Sequence, residues 1–105
     1  MTPKEALKKY IKLCKLSEID FYSKDDRIWK ELKRNIIENV EEYKLITDIE
    51  INSIVERNNE IFIYKGLHGL GHKLEVLHNY NMGEYISSDE HVGLIYKGEI
   101  VWVKN

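Results

Sequence analysis

The feature that most constrains this chain is a stripe. Trp29, Leu32, Ile36, Val40 and Tyr43 recur at steps of three or four, as one face of a helix does. A stripe of this kind must be buried against something. Ser23 suits the N-cap, and Asp25 and Asp26 fall in the first turn, where the helix dipole favours negative charge. Core packing explains such a stripe better than a ligand groove does.

The stripe's first partner is an N-terminal helix. Thr2 can cap it, Pro3 fits the first helical position, and Glu5 completes a capping box with Thr2. Leu7, Tyr10, Ile11 and Cys14 make its apolar face. From Thr47 the pattern changes. Residues 48–57, DIEINSIVER, fit either a strand or a short helix closed at Asn58 or Asn59, and the alternation of Ile49 and Ile51 with acids leans to a strand. EIFIYKG reads as a strand, and KLEVLHNYN as another. HVGLIYKGEIVWVK reads as a hairpin turning at Lys97-Gly98. The expected fold is therefore α+β. Two N-terminal amphipathic helices pack on a small antiparallel sheet of about four strands, in a single domain over residues 1–105.

Composition narrows the function classes. No apolar run approaches the roughly 20 residues of a membrane span, and the opening MTPKEALKK is not a secretory signal. Cys14 is the single cysteine, so no internal disulfide forms. These features point to a cytoplasmic protein, of bacterial or phage-like composition. The net charge of −2 provides no basic field, which disfavours nucleic acid as the partner. The charge is uneven, with eleven Lys/Arg and nine Asp/Glu in residues 1–46, against five and nine in residues 47–105.

All four histidines, His68, His72, His78 and His91, fall in the acidic half, two of them in GLHGLGHK at 66–73. An H-x3-H pair begins many zinc sites when it lies on a helix, but Gly69 and Gly71 argue against a helix here. No further cysteine or paired histidine fixes a ligand set, so no metal or other cofactor is expected. Cys14 with His91, oriented by Asp89 or Asn105, is a weaker nucleophile pair, because Cys14 sits on an apolar helix face. A hydrolase or metal-independent ribonuclease is conceivable, with His68, His72 and His91 moving protons and Lys73 holding a phosphate. The plainer reading makes Gly66, Gly69 and Gly71 turn residues between two strands.

The segment HNYNMGEYISSDEH, residues 78–91, is acidic and aromatic. Tyr80, Met82, Tyr85, Asp89 and Glu90 make a candidate recognition surface, since tyrosine joins apolar area to a polar tip. The leading expectation is a small binding protein that acts by protein–protein contact, such as an inhibitor, immunity or regulatory protein. Its expected partner is a protein, with basic character suiting the acidic segment, and a homodimer through an edge strand is a further option. The alternative is the histidine-loop hydrolase.

Overall fold

The computed structural model describes residues 2–16, 26–77 and 83–97. Two helices come first, α1 (Pro3–Leu16) and α2 (Asp26–Glu38). Six strands follow: β1 (Glu42–Leu45), β2 (Ile54–Arg57), β3 (Glu60–His68), β4 (Gly71–Val76), β5 (Gly83–Ile86) and β6 (His91–Tyr96). They form one antiparallel sheet in the order β1-β6-β2-β3-β4-β5. The α+β class and the leading helices are as expected, but the sheet has six strands among the described residues rather than about four.

The capping box of α1 is formed. Glu5 donates its backbone N–H to Thr2 Oγ1 at 3.2 Å, and Thr2 donates its own to Glu5 Oε2 at 3.4 Å. Ala6 and Leu7 are buried. The side chains of Tyr10, Ile11, Cys14 and Trp29, like Ser23 and Asp25, lie outside the described residues.

Helix α2 is shorter than its stripe. Leu32 and Ile36 are buried as predicted, but the helix ends at Glu38. Asn39 and Val40 tighten the last turn by donating to Ile36 O and Ile37 O, and Asn39 Nδ2 bonds back to Asn35 O at 2.8 Å. Glu38, Glu41 and Glu42 crowd this C-terminus, where the helix dipole favours cations, and the last turn holds no basic residue. Tyr43 therefore belongs to a strand, paired with Gly93.

The ambiguous stretch after Thr47 divides in two. Ile46–Asp48 makes one turn of 3-10 helix, and Ile54–Arg57 is strand β2. Asn58 and Asn59 do not close a helix. Both have positive φ (51° and 65°) between the paired residues Arg57 and Glu60, which is the type I′ hairpin geometry that asparagine tolerates. The first half of the expected C-terminal hairpin is β6, whose two edges are taken by β1 and β2. The turn at Gly98 and the return over 100–103 lie outside the described residues.

The sheet has a core on each face. Ile54, Ile61, Ile63, Leu77 and Ile95 pack against Ala6, Leu7, Leu32 and Ile36 of the helices. Val55, Phe62, Tyr64, Leu74, Ile86, Val92 and Leu94 face the other way, with Ile46 and Ile49 from the β1–β2 connection. This explains why β2 and β3 read as continuous apolar runs and not as alternation. Among the described residues no α-helix covers the second core, yet Leu74 and Val92 are wholly buried. The sheet curls around that core, and the curl is pinned by Arg57. This β2 side chain bonds Glu84 on β5, three strands along, and Glu90 Oε1 at 3.4 Å.

Candidate functional site

The glycine-rich stretch is the β3–β4 hairpin. His68 pairs with Gly71, leaving Gly69 and Leu70 as a two-residue turn. Gly69 has φ +62° at the first central position, as a type II′ turn requires. Gly66 has φ +94° beside a bulge in which Lys65 and Gly66 together oppose Lys73. Gly71 lies against β5, where an added Cβ would come within 3.1 Å of Ile86 O. Each glycine thus has a backbone reason to be there.

The turn separates the two histidines of H-x3-H. Because His68 faces Gly71, His72 points to the opposite side of the sheet. His72 is buried in the second core, where Nδ1 lies 2.6 Å from the Tyr64 hydroxyl. Burial in that core raises the Tyr64 phenol above its usual 10.0. His68 is exposed on the helix side of the sheet, edge-on to the Tyr85 ring at 5.3 Å between centroids. Lys73 places its amine 3.3 Å from Glu75. His91 is exposed at the start of β6, separated from β3 by β2. His68, His72, Lys73 and His91 are therefore spread over both faces of the sheet. His78 lies outside the described residues. Among those described, no three His, Cys, Asp or Glu side chains gather as a metal site would need.

The acidic segment divides in a similar way. Tyr85 is 58% exposed on β5, an edge strand among the described residues, and Asp89 is exposed in the β5–β6 connection. Glu90 is half-buried and engaged by Arg57. Tyr80 and Met82 lie outside the described residues.

The structure adds residues that the sequence did not single out. Leu70 is fully exposed at the apex of the β3–β4 turn, and Leu67 is 75% exposed next to it. Leu67 shares the second-core face with His72, whereas His68 and Tyr85 lie on the helix side. Ile51, 61% exposed, packs over Gly66 at the base of the hairpin. The tip thus carries apolar side chains at its apex and on one face, with Tyr85 of β5 beside His68 on the other. The available sequence signal was a leucine at a turn position, where polar residues or glycine are usual.

No protein-family model matches the chain, and no curated protein or solved structure matches it either. Among the described residues no helix is long and apolar enough to cross a membrane.

Proposed function

We propose that this chain is a small binding protein that acts by protein–protein contact, with the β3–β4 hairpin tip and the adjoining edge of β5 as the contact element. The observation that carries this reading is the exposure of Leu70, Leu67 and Tyr85 around one tight turn. Apolar side chains scattered singly need no explanation, but a group of them at a projecting tip marks an interaction surface. Tyr85 and the two leucines supply the apolar centre, and Asp89 supplies a negative charge toward a partner with basic groups at the rim. This arrangement suits an inhibitor or regulator that inserts a hairpin into a groove of its target. The histidine-loop hydrolase draws less support, since His72 is buried and faces away from His68.

The test compares two baits side by side, the wild type and the Leu67→Ser/Leu70→Ser/Tyr85→Ala variant. Proteins captured from the source cell are quantified by mass spectrometry, and each bait's melting temperature is checked. A partner retained by the wild type and lost by an equally stable variant supports the reading. Identical captures by the two folded baits would reject it.

A further inference from the structure

The side of α2 turned toward the β2–β3 turn borders a cavity of about 440 Å³. That volume falls within the roughly 300–1,000 Å³ typical of small-molecule sites. One wall is helical, made by Lys30, Lys33 and Arg34, and the other is the Asn58-Asn59 turn. Half-buried Ile37 contributes an apolar patch between them. Lys33 donates to Glu60 Oε1 at 2.8 Å, so one cation and one carboxylate neutralise each other and tie the helix to β3.

The charge that remains is informative. Lys30 and Arg34 line the cavity, and neither lies within ion-pair distance of a carboxylate among the described residues. Glu38 is the one further carboxylate on the wall. The lining is thus net positive in a chain whose net charge is −2. A shallower hollow of about 500 Å³ shares Lys30 and Arg34 and adds Arg27 and Glu31. Arg34 provides a planar fork that matches an oxyanion with two parallel bonds, and Lys30 adds a point charge beside it. The side chains of Asn58 and Asn59 are exposed, and each amide offers donors and an acceptor.

We propose that this cleft binds a phosphate monoester of about nucleotide size. The phosphate sits on Arg34 and Lys30, and the body of the ligand rests on Ile37 against the asparagine turn. A phosphate monoester carries about −1.5 to −2 charges near pH 7, which two cations match better than they match a single carboxylate. This site is separate from the hairpin tip and does not depend on the reading given for it.

The experiment is a titration of 15N-labelled protein followed by amide NMR, with AMP and glucose 6-phosphate as probes and adenosine and glucose as their phosphate-free counterparts. The expected result is a saturable shift of the amides of residues 30–38 and 58–60 with at least one phosphate probe, and no saturation with its counterpart. Lys30→Ala/Arg34→Ala should weaken that binding at least about tenfold. A spectrum otherwise like the wild type's would show that the variant is folded. Three outcomes would overturn the proposal. One is no saturable shift at these amides with either phosphate up to about 10 mM. Another is equal binding by the folded double variant. The third is saturation by a single-stranded oligonucleotide alone, which would make the surface a contact for a polymer.

Discussion

Gly93 sits where a side chain cannot. It lies on β6 between Tyr43 of β1 and Glu56 of β2, and it is paired with both. The Tyr43 hydroxyl reaches over it to donate to Glu56 Oε2 at 3.2 Å, so three strands are joined across a glycine. A Cβ at 93 would lie 2.6 Å from Val40 Cγ1, 3.1 Å from Tyr43 Cε1 and 3.2 Å from Glu56 Oε2. The first contact is impossible without movement, and at the other two Tyr43 and Glu56 must give by a few tenths of an ångström. Overpacking of this kind costs about 1–3 kcal/mol, and weakening the hydrogen bond up to about 1 kcal/mol more. The reduced freedom of the unfolded chain returns about 0.5–1 kcal/mol. Gly93→Ala should therefore destabilise by about 2 kcal/mol, or lower the melting temperature by about 10 °C for a domain of this size. Urea unfolding followed by tryptophan fluorescence measures it. Val40→Ala removes the closest clash, so the Val40→Ala/Gly93→Ala pair should show a favourable coupling of about 1 kcal/mol. A Gly93→Ala protein within about 0.5 kcal/mol of wild type, or strictly additive single variants, would refute the argument.

Two further predictions concern the hairpin and the core behind it. The raised Tyr64 phenol favours the folded state while it stays neutral, so its contribution is complete below about pH 10 and is lost as pH rises through the higher folded value. Denaturation midpoints measured across alkaline pH should fall, and Tyr64→Phe should flatten that fall while costing about 1 kcal/mol at neutral pH through the bond lost to His72. Gly69→Ala meets open space, so its cost is backbone strain alone, about 1–2 kcal/mol by urea unfolding.

The parts of the fold that the sequence revealed are those where local chemistry and tertiary packing agree. Thr2, Pro3 and Glu5 announce α1 through contacts only three residues apart. Leu32 and Ile36 announce α2 because the face they share is the face that is buried. Strand β1 was hidden because Val40 and Tyr43 happen to extend the helical spacing, and only the pairing of Tyr43 with Gly93, half the chain away, shows otherwise. The asparagine pair at 58–59 carried a turn signal that the neighbouring isoleucines obscured. In the candidate site, H-x3-H puts two rings on one side only in a helix, which Gly69 and Gly71 already argued against. The two-residue turn sends them to opposite sides, which cannot be read from spacing until the turn length is known. The cleft on α2 depends on which cations find carboxylates, as Lys33 does and, among the described residues, Lys30 does not. No local pattern encodes that.

The placement of β6 between β1 and β2 has a consequence for how the molecule is made. Strands β2 to β5 are neighbours in both sequence and space, so they can assemble as a meander while the chain is still emerging. β1 has been synthesised by then but has no partner until residues 91–94 arrive. At about 5–20 residues per second, the growing chain spends seconds with the inner edge of β2 open. During that interval the unpaired N–H and C=O groups along that edge are a template open to any other strand, and the arrival of β6 is what closes it.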